Sequence, residues 1–202
     1  MDRMATIPLR ALQLEITRLR EENQTLKEEL GLLRSSIREL RELQEIFGRM
    51  TPEMEVFSLL RDLLAAALAA VGAGDGSLLL LDEETGELVF AVVQGEAQER
   101  LQGYRLSPGE GIAGWVAANK ETQIVADVHR DPHFSPRVDE AFEFHTRSLA
   151  CLPLLHGERV LGVLEALNKN SDREFTDDDH DLLMLVANMA AEAIARAETM
   201  EG

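Results

Sequence analysis

The sequence predicts an α+β domain: a mostly antiparallel sheet with helices on its faces, led in by one long N-terminal coiled-coil helix. Three features carry this reading. Apolar residues keep a 3-4 spacing from Leu9 to Phe47. From Gly76 the apolar period changes to two, in runs joined by tight turns. Helical, Ala-rich stretches at 52–71 and 177–198 bracket those runs. The chain therefore divides into a coiled coil over 1–50 and a globular domain over 51–202.

The first element is a parallel two-stranded coiled coil. One seven-residue frame places Leu9, Ile16, Asn23, Leu30, Ile37 and Gln44 at a, and Leu12, Leu19, Leu26, Leu33, Leu40 and Phe47 at d. Leu at d with Ile among the a residues favours two strands. A lone Asn at a can bond its twin only in a parallel, in-register pair, so Asn23 selects that pairing. The g-to-e pairs Glu15–Arg20, Glu22–Lys27 and Glu29–Arg34 all join opposite charges. Each exposed pair is worth about 0.2–1 kcal/mol, so they choose orientation more than they supply stability. A solvated helix lying on its own domain, or an antiparallel pair, explains neither Asn23 nor those signs. At 1.5 Å per residue the rod is about 58 Å long.

Charge is confined to one part of the chain. Residues 1–50 hold nine acidic and nine basic side chains. Subtracting these from 37 and 20 leaves 28 acidic against 11 basic in 51–202, which carry the whole net charge of −17. A surface of that sign repels phosphate backbones and anionic lipid, so nucleic-acid and membrane partners are not expected. There is no apolar run of about 18 residues and no cleavable basic-apolar leader, so the reading is a cytoplasmic protein. A single cysteine excludes a disulfide framework and a multi-thiolate metal site.

Past Phe47 the heptad frame fails, at Gly48. Thr51 is placed to cap a second helix, with Pro52 at its first position and Gly72 and Gly74 at its end. Ser77–Leu81 and Glu87–Gln94 read as strands around an Asp82–Gly86 turn. Residues 95–146 read as irregular, with a short helix near Ile112–Asn119 and a strand near Gln123–Val125. Strands return at Ser148–Leu155 and Arg159–Asn168, about a His156-Gly157 turn. A last helix runs from Asp177 to about Glu198, capped by Thr176 with Asp179 completing a capping box. The two Ala-rich helices are expected to pack together on one face of the sheet.

Several blocks in one order then carry a family resemblance. They are Pro108-Gly-Glu-Gly-Ile-Ala-Gly-Trp-Val116, Asp127-Val-His-Arg-Asp-Pro-His-Phe134, Thr146-Arg-Ser-Leu149 with Leu152-Pro-Leu154, Val160-Leu-Gly-Val-Leu-Glu-Ala-Leu-Asn-Lys169 and Phe175-Thr-Asp-Asp-Asp179. On these, residues 55–200 resemble a GAF domain, the small-molecule sensory module of bacterial signalling proteins and cyclic-nucleotide phosphodiesterases. The resemblance implies a six-stranded antiparallel sheet with a ligand pocket between one face and the 95–146 segment. It also implies dimers formed through the N- and C-terminal helices. Asn168, Lys169, Phe175 and Asp179 resemble the phosphodiesterase signature, with His180 in place of its final Glu. A Lys169–Asp179 ion pair over Phe175 would tie the last strand to the last helix, a structural role that needs no ligand. Cyclic nucleotide is the ligand class that signature implies; nothing in the sequence requires a cofactor.

For a pocket, the sequence offers Trp115, Phe134, Arg137, Phe144, Thr146, Arg147, Cys151 and Glu165. Trp115 and the phenylalanines could form a stacking lid, or simply fill the core. Glu165, on a central strand, needs a donor if it faces inward and reaches water if it faces the outer helices. Cys151 between Ala150 and Leu152 reads first as a small core residue. His129 and His133, with Asp127, Asp131 and His145, have the residue types of a metal site, but Pro132 between the histidines argues for a solvated loop, and no metal is assigned. The Gly109, Gly111 and Gly114 run lacks the Lys-Ser/Thr of a phosphate loop.

The expected function is a homodimeric signalling or regulatory protein. Its domain senses a small molecule, performs no catalysis, has no output segment in this chain and acts through a partner protein. The alternative is a scaffold whose domain has lost its ligand and serves as a docking surface. A cavity with convergent polar groups separates the first from the second.

Overall fold

The structure, a computed structural model, describes residues 18–20, 23, 24, 27, 56–96, 98–170 and 174–201. It divides into two units, Met1–Gly48 and Arg49–Gly202. In the first, Leu19 and Asn23 are helical and exposed. The other interface residues named above, Leu12, Ile16, Leu26, Leu30, Leu33, Ile37, Leu40 and Phe47, lie outside the described residues, as do Thr51 and Pro52.

In the second unit, Leu59, Leu60, Leu63, Leu64, Ala67, Leu68 and Val71 recur at three- and four-residue spacing and are all buried. Helix α1 (Val56–Val71) thus turns one apolar stripe inward. Gly72, at φ +68°, ends it in the left-handed conformation that suits glycine. Strand β1 (Ala73–Leu81) begins at once, four residues ahead of the Ser77 start predicted from sequence. Gly74, read from sequence as part of the helix end, lies inside the strand, and Gly76 serves close packing. A Cβ there would lie 2.6 Å from the Glu165 carbonyl oxygen and 2.7 Å from Leu68 Cδ2.

Asp82 Oδ1 accepts the N–H groups of Glu84 and Thr85, and Gly86 at φ +73° closes the turn into β2 (Leu88–Gln94). The 95–146 stretch is more regular than its sequence predicts. It holds a single helical turn, α2 (Gln98–Leu101), then β3 (Arg105–Leu106), helix α3 (Gly111–Asn119) and β4 (Gln123–Val125). A 3-10 turn at Val128–Arg130 and helix α4 (Arg137–Phe142) follow. The two-residue β3 is too short to show a period. It is recruited by pairing Leu88 with Leu106 and Val89 with Arg105, while the Arg105 guanidinium reaches Asp82 at 2.8 Å and Glu87 at 2.7 Å.

Strands β5 (Leu149–His156) and β6 (Arg159–Lys169) complete one six-stranded antiparallel sheet in the order β3-β2-β1-β6-β5-β4. Helix α5 (Asp177–Glu201) returns beside α1, and both pack on the same face of the sheet. Alternation sends Leu78, Leu152, Leu154 and Leu164 to that face, fully buried. The opposite face carries Leu79, Phe90, Cys151 and Val163 beneath α3 and the segment around it. Asp179 accepts the Thr176 N–H at 2.7 Å and the Asp179 N–H returns to Thr176 Oγ1 at 3.3 Å, capping α5.

Candidate functional site

On β6 the alternation of Val163, Glu165 and Leu167 against Leu164 and Ala166 decides where Glu165 points. It faces away from α1 and α5, at 9% exposure, into a cavity between the sheet and the 101–146 segment. Ser77 sits opposite it in register on β1, and Ser77 Oγ donates to Glu165 Oε2 at 2.6 Å. The other carboxylate oxygen has no protein partner among the described residues. Burial is the main cause that raises the Glu165 carboxyl above its usual range. The Ser77 hydrogen bond works the other way, and the negative charge of Asp139 adds to the rise.

Asp139 comes from α4, on the roof. Its two oxygens accept the Thr146 N–H and the Thr146 hydroxyl, each at 2.8 Å, and its carbonyl accepts the Phe144 N–H at 3.0 Å. These bonds fold the residues after α4 back over the sheet and set Phe144 and Thr146 into the cavity wall. Glu110, ahead of α3, accepts the Ser107 N–H through Oε2 at 3.1 Å. Its Oε1 lies 3.1 Å from the Arg137 guanidinium, without hydrogen-bond alignment, and is buried with no hydrogen-bond partner. We read that contact as charge proximity, since Arg137 is 65% exposed and approaches from outside. Asp75 of β1 accepts the Glu96 N–H at 2.9 Å, and Gln94 and Ser135 add polar side chains to the lining.

The cavity measures about 80 Å³, against the ~10–15 Å³ that one water requires on such a measure. Phe90, Val93, Phe134, Phe144 and Leu149 form apolar walls. Asp75, Glu110, Asp139 and Glu165 bring four carboxylates, and no Lys, Arg or His lines it. Such a chamber can bind a donor-rich small molecule.

The GAF domain family model matches residues 56–194. The chain belongs to the GAF domain family. Over 92 residues, 45% of the chain, this GAF protein is 36% identical to the dual 3',5'-cyclic-AMP and -GMP phosphodiesterase 11A of Takifugu rubripes. That match spans only 10% of the relative's length. Among solved structures it is similar to the GAF domain of a phosphoenolpyruvate-protein phosphotransferase from Coxiella burnetii, with TM-score 0.72 and 22% identity. The likeness covers 81% of this chain and 96% of that one. It is also similar to free methionine-R-sulfoxide reductase from Neisseria meningitidis in complex with its substrate. There the TM-score is 0.65 and identity 24%, over 80% and 91% of the two chains. At these identities the structural likenesses establish the fold.

Of the pocket residues singled out from sequence, the GAF fold brings Phe134, Phe144, Thr146 and Glu165 together around the cavity. It places four elsewhere. Trp115 lies against His133, ring centres 5.0 Å apart and tilted, and packs on the core without lining the cavity. Arg137 projects outward beside Glu110. Arg147 is exposed, with its N–H donated to Asn168 Oδ1 at 2.7 Å. Cys151 faces Glu165 across β5 and β6 but is fully enclosed in the core. Burial above all, then the Glu165 charge, holds its thiol well above the usual range. His129 packs edge-on against Phe134, and the ring Nδ1 of His133 lies 3.1 Å from Asp131.

The signature residues form a latch. Asn168, at φ +52°, accepts the Arg147 N–H and donates to the His145 carbonyl at 2.8 Å. Lys169 pairs with Asp179 and lies 5.6 Å over the ring of buried Phe175. Burial alone would raise the Asp179 carboxyl; the Lys169 ammonium and the Thr176 donors outweigh it and hold it below its usual value. Sequence reasoning missed Ser77, Asp75, Glu110 and Asp139. Ser77 carried one readable sign, a lone hydroxyl leading an all-Leu strand.

Proposed function

We propose that this GAF domain is the ligand-sensing part of a cytoplasmic, homodimeric signalling protein that acts through a partner protein rather than by catalysis. The observation that carries the reading is the continuity between cavity and latch. Thr146 lines the cavity and is bound by Asp139; its neighbour Arg147 is bound by Asn168; Lys169, next in the chain, pairs with Asp179 in the first turn of α5. A ligand that shifts Glu165, Asp139 or Thr146 thus acts within a few residues of the start of a 25-residue helix. In this reading α1 and α5 hand that shift to a second subunit.

The cavity and its convergent polar groups weigh toward a sensor and away from a scaffold with a filled pocket. The enclosed Cys151 thiol supports a regulatory reading over thiol chemistry. Four carboxylates in the lining, with no basic side chain among the lining residues, oppose the phosphate of a cyclic nucleotide. No described helix is long and apolar enough to cross a membrane. Native mass spectrometry of the full chain purified from its own cells should find a dimer with a retained small molecule. Hydrogen exchange before and after removal of that molecule should differ in α4, in 144–148 and in the first turns of α5. A monomer, or exchange in α5 indifferent to the ligand, overturns the proposal.

A further inference from the structure

We propose that the cavity takes a small organic cation, an ammonium or guanidinium group on a short apolar stem, with Glu165 as its counter-ion. The inference rests on the sensor reading and names the class of its ligand. Its basis is an imbalance of donors and acceptors. Glu165 spends one oxygen on Ser77, and its other oxygen meets no protein donor among the described residues, at 9% exposure. Glu110 Oε1, on the opposite wall, is buried with no hydrogen-bond partner. The free oxygen of Glu165 opens on the cavity and asks for a ligand that supplies protons, and Glu110 Oε1, which meets Arg137 without hydrogen-bond alignment, can accept from the same ligand.

Charge narrows the class. Asp139 and Asp75 add two more carboxylates to the lining, and no basic side chain enters it. The nearest cation, Arg137, stays outside. A neutral alcohol would satisfy one oxygen and leave the negative field unanswered; an anion would be repelled by it. An ammonium carries three donors and a guanidinium five, and both are drawn to aromatic faces such as those of Phe90 and Phe144. The apolar walls provide for a stem, and the volume limits it to a short one.

The test is isothermal titration of the full chain near neutral pH with n-butylammonium and n-butylguanidinium, against n-butanol, butyrate and cyclic GMP. Saturable binding of one or both cations, one per subunit, with none of the other three, supports the proposal. Glu165→Gln should then weaken that binding roughly ten- to hundredfold, the loss expected for a hydrogen bond to a charged partner. Glu110→Gln should weaken it less. The thermal melt of each variant, at or above that of the parent chain, shows that it is folded. Failure of both cations to bind, equal binding of butanol, or full affinity in Glu165→Gln overturns the ligand class. Cation binding that leaves hydrogen exchange in α5 unchanged keeps the ligand class and overturns the sensor reading instead.

Discussion

Ser77 Oγ donates to Glu165 Oε2 at 2.6 Å across paired strands, although 88 residues separate the two in sequence. A carboxylate in the middle of an apolar sheet is held by a single hydroxyl, and its free oxygen opens on the cavity. The arrangement disfavours the charged form of the domain until something else supplies donors.

Glu165→Gln should therefore stabilise the unliganded domain at neutral pH, by on the order of 1–2 kcal/mol. The folded carboxyl titrates above the unfolded one. Between those two values the folded state binds more protons, so stability falls as pH rises through that window and the full penalty stands above it. The gain in Tm of Glu165→Gln over the parent chain should be largest near pH 7 and should shrink toward pH 4.5, the ordinary value for the group. A gain independent of pH would mean that Glu165 does not titrate as its burial implies.

Asp179→Asn should behave in the opposite sense. Its folded carboxyl lies below its ordinary value of 3.8, so it adds stability above that pH, lost as pH falls through the folded value. Removing the charge should cost about 1–3 kcal/mol near pH 7, as for a hydrogen-bonded ion pair, and much less in acid. Denaturant melts at the two pH values measure the difference. Equal costs would show that the Lys169 pairing contributes nothing beyond the Thr176 cap.

Gly76→Ala should cost about 1–3 kcal/mol by forcing β1 away from β6 and α1. Gly162→Ala should cost more, since its Cβ would stand 1.9 Å from the Leu79 carbonyl oxygen, a backbone atom that cannot rotate aside. Urea melts of the two variants should keep that order. A harmless Gly162→Ala would contradict the register of β1 on β6.

Cys151 should resist iodoacetamide at pH 8 in the native protein and react in denaturant, because burial removes both access and thiolate. Mass spectrometry reports the adduct. Stoichiometric labelling of the native protein would place Cys151 nearer the cavity than the fold puts it.

Asn23→Val should raise thermal stability and admit oligomers above the dimer, since the polar a position selects two parallel strands at a cost. A purely dimeric mass distribution in the variant would remove the argument from that residue.

Local and periodic features were the legible ones. The Asp82–Gly86 turn, helix α3, strand β4 and the Thr176–Asp179 cap each depend on residues within a few positions, so composition and spacing specify them. Where reading failed, distance in sequence was the cause. The start of β1 at Ala73 is not legible, because the reason for glycine at 76, the close approach of Leu68 and Glu165, comes from two other elements. Strand β3 was missed because two residues show no period, and it exists only as the partner of β2. The neighbourhood of Arg137 in sequence suggests a pocket residue, yet a helix presents successive residues to different sides; Asp139, two places on, faces the cavity instead.

By itself the sequence determined the family, the antiparallel α+β plan, the acidic balance of the globular part and the heptad pattern ahead of it. Only the tertiary structure decided that Glu165 looks into a chamber rather than toward the outer helices, and that Ser77, Glu110 and Asp139 stand around it. The reason is geometric. A strand's alternation states which residues share a face, but which layer covers that face is settled when β1, β5 and β6 pair and α1 and α5 claim the other side.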